Sequence, residues 1–221
     1  MILQGNLVDR KQIEIREIKR LSSEQLHNAA AMLAHAFDKN PLHQAIFKNT
    51  ATRAKASHAI FTAMLKDGMR FGRVLCAYKP SLVGVLVWYP PGAYPLWPSR
   101  HIRLMPHYLR AAAVDFAGVI KFMRVLTALK RLHPKEPHCY CCCLGVAPGF
   151  QGQRVAWSLA IHFYREAERT HLPIYGETAQ QSHVHLYRRL GGSVIHKDLE
   201  LFPGAPSICT MLVKRSNRSA D

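Results

Sequence analysis

The apolar residues of the chain recur with two periods, one typical of strands and the other of helices. Residues 12–18 (QIEIREI) alternate polar and apolar side chains, which predicts a half-buried strand. Ser22 and Ser23 can cap a helix, and a helical pattern continues from them through Phe37. The predicted strands are residues 12–18, 74–78, 82–89, 138–146, 173–177, 194–199 and 207–213. The predicted helices are residues 22–37, 51–69, 107–132, 155–169 and 182–190.

This alternation of strands and helices predicts a domain of the α/β class. With 221 residues, 48% of them hydrophobic, the chain can bury a sizeable core. We find no internal repeat and no linker, so we expect a single domain over residues 1–221. The longest apolar run, Leu82–Tyr89, is far shorter than the roughly 20 residues of a membrane-spanning helix. The first twelve residues lack the hydrophobic region of a signal peptide, which predicts a cytoplasmic protein.

The charge of the chain is strongly positive. Thirty Lys and Arg residues against fourteen Asp and Glu give a net charge of +16, which favours an anionic partner such as nucleic acid, anionic lipid or a phosphorylated cofactor. The excess is partly concentrated between Arg100 and Lys135, where there are eight basic residues and one acid, Asp115. We interpret residues 93–135 as a basic helical insertion. A basic surface that only contacts water is the alternative interpretation.

Four cysteines lie within five residues, at positions 139, 141, 142 and 143. In a regular strand, the side chains of Cys139, Cys141 and Cys143 would share one face and that of Cys142 would lie on the other. Such a row does not converge on one ion, whereas buried thiols behave as small apolar groups. We therefore expect reduced, structural cysteines and no metal site.

The residues that follow have the composition of a phosphate-binding loop. The predicted strand ends at Leu144-Gly145-Val146, a proline turn follows, and Gln151-Gly152 leads into the next helix. A helix N-terminus offers unpaired amides and a partial positive charge, and glycine lets a ligand approach the backbone. This segment is the strongest functional signal in the sequence.

The run LGVAPGFQGQRVA resembles the coenzyme-binding motif of the GNAT superfamily of N-acetyltransferases, Gln/Arg-x-x-Gly-x-Gly/Ala, at Gln151, Gly152 and Ala156. Arg154 stands where the motif has its central glycine. HCYCCCLGV is similar to the fourth-strand pattern of that superfamily, and IYGET followed by HLYRRLGG is similar to its downstream segments. AFDKNP and VLVWYPPG are similar to segments of one GNAT branch, so the resemblance covers nearly the whole chain.

The resemblance implies a mixed, mostly antiparallel central sheet flanked by helices, with the insertion before the fourth strand. It implies acetyl-CoA as co-substrate, no metal, and direct transfer of an acetyl group to a primary amine, for which we expect a small molecule. The amide of Val146 corresponds to the oxyanion donor and Tyr187 to the general acid, while Glu177 and His138 are alternative bases. The implied cofactor-binding residues are Leu144, Gly145, Val146, Gln151, Gly152, Gln153, Arg154, Val155, Ala156, His183 and Tyr187.

Two other functions stay open at this stage. Arg154, His183 and Gly192 depart from the superfamily pattern, which is compatible with a degenerate acyl-CoA-binding protein without transferase activity. A basic nucleic-acid- or membrane-surface-binding module on the same fold is the second alternative. The insertion would repel polycationic acceptors. The sequence does not define the oligomeric state, and a homodimer is one of the assemblies it allows.

Overall fold

The computed structural model describes residues 13–214, apart from the side chains of Gln181 and Ser182. Within that range the strands are β1 (Glu14–Glu17), β2 (Arg73–Tyr78), β3 (Leu82–Tyr89), β4 (Cys139–Val146), β5 (Ile174–Thr178), β6 (Gly192–Leu199) and β7 (Ile208–Val213). The helices are α1 (Ser23–Phe37), α2 (Pro41–Ile46), α3 (Thr50–Phe71), α4 (Pro98–Ala112), α5 (Phe116–Leu132), α6 (Val155–Glu168) and α7 (Gln181–Arg189). The first twelve residues, with the predicted start of the first strand, lie outside the described residues.

The strands form one sheet in the order β1-β2-β3-β4-β5-β7-β6. Every neighbouring pair is antiparallel except β4 and β5, which run parallel. Helices α1 and α3 cover one face and α6 covers the other, each burying a separate apolar cluster against the sheet. This arrangement confirms the predicted fold class, a mostly antiparallel sheet with helices on both faces.

The parallel pair is short, and this creates an opening in the sheet. Residues 139–141 of β4 pair with residues 174–176 of β5, and no further pairs follow. Beyond that point β4 continues to Val146 while still paired with β3. The two strands therefore diverge, and we call the wedge between residues 142–146 of β4 and the end of β5 the splay.

A β-bulge at Cys142 separates the two parts of β4. Val87 of β3 pairs with Cys143 and the adjacent Trp88 pairs with Cys141, so Cys142 is the additional residue. Cys141 packs in the cluster beneath α6, whereas Cys143 packs in the cluster beneath α1 and α3. The prediction that residues 139, 141 and 143 share one face is therefore wrong, because the bulge reverses the alternation.

The segment predicted as one helix over 107–132 forms two helices instead. Helix α4 begins earlier, at Pro98, and α5 starts after a short turn, where the Asp115 carboxylate accepts a hydrogen bond from the Gly118 amide at 2.8 Å. Helix α2 was not predicted. Pro41 occupies its first position, and Asn40 caps it by accepting a hydrogen bond from the His43 amide at 3.0 Å.

None of the helices in the described part of the chain is long and apolar enough to cross a membrane. The insertion packs along α3 through α4, and a third apolar cluster lies between α2, α3, α4 and α5. This cluster lies on the same side of the sheet as α1 and α3. It forms the wall of the molecule that faces the splay from the side opposite α6 and α7.

Candidate active site

A cleft of about 960 Å³ opens where β4 ends and α6 begins, and we call it the outer cleft. The predicted cofactor-binding residues that line it are Leu144, Gly145, Val146, Gln151, Gly152, Arg154, Val155, Ala156 and His183. Gln153 does not line it. The Gln153 side chain accepts a hydrogen bond from Lys79 Nζ at 3.1 Å and donates one to the Gly149 carbonyl at 3.0 Å.

The strand register directs two backbone amides into the splay. The Ala147 amide donates to the Val83 carbonyl at 2.9 Å, so residues 83 and 147 form a hydrogen-bonded pair of the antiparallel ladder. Such pairs alternate with pairs whose amides point away from the partner strand. Residues 144 and 146 belong to the second kind, and their N–H groups therefore face the open side. The Val146 carbonyl, on the same side, accepts from Gln151 Nε2 at 3.3 Å.

The N-terminus of α6 has no side-chain cap. Arg154 is its N-cap residue and has a left-handed backbone, with φ of 64° and ψ of 9°. The first intrahelical bond is made by the Ser158 amide, so the amides of residues 155–157 have no partner within the helix. Arg154 is exposed, and a Cβ built on Gly152 would contact nothing within 4 Å. The loop is therefore open toward the outer cleft.

An inner cavity of about 190 Å³ continues from the outer cleft into the molecule. The two share Phe37, Asn40, Leu144, His183 and Leu186 in their walls. Three predicted site residues meet there, because Glu177, His183 and Tyr187 all line the inner cavity. His183 Nδ1 lies 3.3 Å from Thr178 Oγ1, and burial lowers the pKa of His183.

The Tyr187 hydroxyl is buried against β4 and β5. Burial raises the pKa of Tyr187 well above its ordinary value, and the neighbouring Cys141 and Glu177 raise it further. Gly176 makes this position available, since a Cβ there would overlap the Tyr187 hydroxyl and lie 3.4 Å from the Cβ of Cys141. The phenol therefore stays protonated at neutral pH and can act as a proton donor.

Glu177 lies at one end of a row of ionisable side chains. Its Oε1 is 3.4 Å from His133 Nε2, and both atoms are buried without a hydrogen-bond partner among the described residues, since the two groups are close but not aligned. His133 Nδ1 is 2.9 Å from His138 Nε2, and His138 Nδ1 is 2.8 Å from the Glu136 carbonyl. The row connects the inner cavity with half-buried His138.

The hydrogen bonds define which nitrogens carry protons. A carbonyl only accepts, so His138 Nδ1 donates to Glu136. Burial lowers the pKa of His138, which keeps its ring neutral at pH 7 and leaves Nε2 as an acceptor. His133 Nδ1 then donates to His138, and His133 Nε2 faces the Glu177 carboxylate.

The chain was compared with families, sequences and structures of known proteins. No family profile and no curated protein sequence matches the chain. Solved structures do match. Histone acetyltransferase HPA2 and related acetyltransferase from Corynebacterium glutamicum is 17% identical, with a TM-score of 0.70 over 94% of this chain and 98% of that one. A Desulfovibrio desulfuricans protein assigned to the GNAT family is 10% identical, with a TM-score of 0.54 over 92% and 99%. The chain has the GNAT acetyltransferase fold.

Arylalkylamine N-acetyltransferase 2 from Aedes aegypti shares the GNAT fold as well, at 16% identity and a TM-score of 0.56 over 90% of this chain and 97% of that one. At these identities the comparisons establish the GNAT fold, and the chemistry must be argued from the residues. Among residues 13–214, no group of three or more His, Cys, Asp or Glu side chains is arranged to hold a metal ion.

The outer cleft has the lining of an anion-binding site. Lys39, Arg154 and Arg189 line the cleft, and Asp38, the one carboxylate among its described lining residues, is paired with Arg53 at 3.2 Å. The uncapped amides of α6 and the open surface at Gly152 lie in the same wall. A polyanion is therefore met by positive charge and backbone donors.

The sequence-based prediction of this site does not include His133. It treated Glu177 and His138 as alternative bases, whereas the structure places His133 between them. His133 comes directly after α5 and is one of thirteen histidines, so the sequence contains no signal that distinguishes it. Tyr94 would have been equally hard to identify, although its ring stacks on His133 with centroids 4.6 Å apart.

Proposed function

We propose that the chain is an acetyl-CoA-dependent N-acetyltransferase that transfers an acetyl group to the primary amine of a small molecule by direct attack. The observation that carries the proposal is that the outer cleft and the inner cavity, which contains Glu177 and Tyr187, lie side by side at the splay and share wall residues. A cofactor held by the amides of α6 and the side chains of Lys39, Arg154 and Arg189 would extend along the splay toward the inner cavity.

Each side chain has a role that follows from its surroundings. When bound, acetyl-CoA supplies an acyl group activated as a thioester. The amides of Leu144 and Val146 are oriented to donate hydrogen bonds to a developing negative charge in the splay. Tyr187 remains protonated and is available to donate to a leaving sulfur.

Glu177 is the group that accepts the proton of the amine. A protonated amine cannot attack, since its lone pair carries the proton. Glu177 transfers this proton to His133 Nε2, His133 passes its Nδ1 proton to His138 Nε2, and His138 releases its Nδ1 proton to solvent, so that each ring ends neutral with its proton on Nε2. The residue that touches the acceptor is Glu177, while His133 and His138 act through it.

The pH profile of kcat/KM tests the Glu177–His133–His138 row. The other titratable side chains that face Glu177 are Tyr94, Tyr140, Tyr175, Tyr187, Cys141 and Cys142. Burial raises the pKa of each of them, so none titrates near neutral pH. A change in the pH profile on replacing His133 would therefore not come from these six side chains. His183 also lines the inner cavity, and burial lowers its pKa, so His183→Asn is measured beside it.

Binding and turnover are tested separately. Calorimetry with acetyl-CoA should show saturable binding, and release of free thiol on adding primary amines should show transfer. Tyr187→Phe should lower kcat while leaving the dissociation constant of acetyl-CoA nearly unchanged. Absence of binding at millimolar cofactor would refute the proposal. Binding without turnover across a broad amine panel would support the degenerate acyl-CoA-binding alternative.

The role of His133 needs a readout other than activity at one pH. His133→Phe keeps a ring against Tyr94 but cannot carry a proton, so kcat/KM should fall by roughly 100-fold at neutral pH. The deficit should shrink steadily as the pH rises and the amine loses its own proton. His171→Asn, at an exposed histidine remote from the cavities, is the matched control. A loss in His133→Phe that is constant with pH would mean a structural role only.

A further inference from the structure

A second cavity, of about 320 Å³, lies behind the inner cavity and is enclosed by α3, α4, α5 and the segment after β3. We call it the rear cavity. The inner and rear cavities share Ile60, Met64, Phe122, Leu126, Tyr140 and Cys142 in their walls. The rear cavity is therefore adjacent to the inner cavity, whose wall contains Glu177.

The wall of the rear cavity is largely apolar. Its aliphatic and aromatic side chains are Ile60, Ala63, Met64, Pro95, Leu96, Leu104, Phe122, Met123 and Leu126, together with four tyrosines, Tyr89, Tyr94, Tyr108 and Tyr140. A volume of this size is at the low end of small-molecule sites. It would accommodate a single ring or a short aliphatic body.

The wall offers no carboxylate for a second ammonium group. Asp67 is the one acidic residue among the described lining residues, and both of its oxygens are already engaged. Arg100 donates to Asp67 through Nε at 3.0 Å and through Nη2, and the Tyr89 hydroxyl donates to it at 2.6 Å. The exposed Lys130 lies at the rim. A second positive charge on the acceptor would be desolvated without a partner.

We propose that the acceptor is a monoamine with an apolar body, aromatic or aliphatic, and not a polyamine, an aminoglycoside or a lysine-rich peptide. This inference rests on the proposed transferase activity. The apolar body occupies the rear cavity, and the single amino group points through the inner cavity toward Glu177. Binding then removes apolar surface from water, which favours larger bodies until the cavity is full.

Acceptor panels test the class directly. In a series of linear alkylamines, kcat/KM should rise by about fourfold for each added methylene until the rear cavity is full. Phenethylamine should exceed spermidine by at least about 100-fold in kcat/KM. Spermidine as the better substrate would overturn this inference while leaving the transferase activity intact. Cofactor binding without acetylation of any amine would instead refute the proposed function, and this inference with it.

A carboxylate introduced into the wall of the rear cavity should change the preference between monoamine and diamine acceptors. Met123→Glu adds a carboxylate to the rear cavity, so the ratio of kcat/KM for 1,4-diaminobutane to that for butylamine should rise by about tenfold or more. Ile102→Glu, on the exposed side of α4, is the matched control and should leave the ratio unchanged. An unchanged ratio in Met123→Glu would mean that acceptors bind elsewhere.

A separate observation concerns the outer surface of the insertion. Among the described residues, seven large apolar side chains are strongly exposed, and six of them belong to this segment: Trp97, Ile102, Met105, Leu109, Phe116 and Ile120. Ile102, Met105 and Leu109 follow the spacing of one helical stripe along α4. Such a concentration on one segment marks a contact surface. We call it the insertion surface.

The charge around this surface selects the partner. Arg103, Arg110, Arg124 and Arg131 are exposed on the same two helices. Asp115 is the one acid in residues 97–132, and its carboxylate is engaged by the Gly118 amide. In a two-fold dimer this surface would meet its own positive charge. Nucleic acid would match the charge and its bases would stack on Trp97, but it would not cover the aliphatic stripe of Ile102, Met105 and Leu109.

We propose that the insertion surface docks on an anionic lipid bilayer, with the apolar stripe at the interface and the arginines near the headgroups. The protein should co-sediment with vesicles containing phosphatidylserine and phosphatidylcholine, less with phosphatidylcholine alone, and the binding should weaken as salt is added. The double variant Ile102→Ser/Leu109→Ser should lose it, whereas Ile195→Ser on β6 should retain it.

Three results would overturn the membrane proposal. The first is no binding to anionic vesicles at low salt. The second is a dimer in light scattering that dissociates in the Ile102→Ser/Leu109→Ser variant, which would mean that a second copy covers the surface. The third is salt-sensitive binding to single-stranded RNA without vesicle binding, which would indicate a nucleic acid partner.

Discussion

The buried ion pair between Asp67 and Arg100 allows one quantitative prediction about how the insertion is anchored. Asp67 lies on α3 and Arg100 on α4, with side chains 2% and 5% exposed. Arg100 donates to both carboxylate oxygens and to the Ala93 carbonyl, and Tyr89 of β3 also donates to Asp67. The pair therefore joins α3, α4, β3 and the segment that leads into the insertion.

Replacing only Arg100 leaves a buried carboxylate that keeps just the Tyr89 hydrogen bond. Removing one partner of a buried pair destabilises proteins by about 3–5 kcal/mol. For a chain of this size each kcal/mol corresponds to about 2–4 °C in Tm. We therefore expect Arg100→Met to lower the free energy of unfolding by about 3–5 kcal/mol and the Tm by roughly 10 °C.

The double variant Arg100→Met/Asp67→Leu supplies the control. The double variant leaves no buried charge without a partner, although the Tyr89 hydroxyl loses its acceptor. It should therefore be more stable than the sum of the two single losses predicts, by about 2 kcal/mol or more. Urea unfolding followed by circular dichroism measures all four corners of the cycle. The contacts of Arg100 with Ala93 and with the Phe71 ring, 4.4 Å away, are absent in both Arg100→Met proteins. If the losses in free energy of unfolding of the two single variants add up to that of the double variant, Asp67 and Arg100 do not stabilise each other and the argument is refuted.

Three further predictions concern single residues. Burial lowers the pKa of His43 to about 4 from an ordinary value of 6.5, so the unfolded chain binds a proton between these pH values that the folded chain does not. The free energy of unfolding should therefore fall as the pH drops through this window, by up to about 3 kcal/mol from this residue. Urea unfolding at pH 7 and 4.5 should show a smaller difference in the free energy of unfolding for His43→Gln than for the unsubstituted protein. Arg154→Gly removes a side chain from a left-handed backbone position, which stabilises the folded protein, but it also adds freedom to the unfolded chain, so the free energy of unfolding should change by less than about 1 kcal/mol. Because the guanidinium is lost, calorimetry should show acetyl-CoA binding weakened by up to about tenfold. Gly176→Ala should displace the Tyr187 hydroxyl and lower kcat by roughly 10- to 100-fold in the thiol-release assay. An unchanged kcat would mean that the Tyr187 phenol takes no part in the reaction.

Sequence patterns predicted those elements whose signal is local. The apolar run of β3 and the turn before α6 are visible because each depends on a few adjacent residues. The boundaries of α4 and α5 were predicted poorly, since an apolar period continues across 107–132 and the break depends on the Asp115 carboxylate finding the Gly118 amide. Proline was ambiguous for α2, because the same residue ends one helix and begins the next.

The relation between Glu177 and His138 was not accessible from the sequence for a different reason. The two residues are far apart in the chain, and His133, which joins them, is held by contacts from three segments. Its ring lies 4.6 Å from Tyr94 and from Tyr175 and 4.5 Å from Tyr140, centroid to centroid. The position of the His133 ring depends on contacts that form only in the folded protein, so no periodic pattern in the sequence predicts it.

The bulge at Cys142 links the unusual cysteine run to the chemistry of the splay. The Cys139 amide donates to the Pro173 carbonyl at 2.9 Å, so in an unbroken strand the amides of residues 139, 141, 143 and 145 would all face β5. The additional residue reverses this alternation, and the amides of residues 144 and 146 face the splay instead. The same reversal turns the Cys143 side chain under α1 and α3 and brings the side chain of Leu144 to the junction of the outer cleft and the inner cavity. Small side chains at the bulge can pack on either face, which is a physical reason for thiols here. The orientation of the amides in the splay therefore depends on that one additional residue in a run of small, buried side chains.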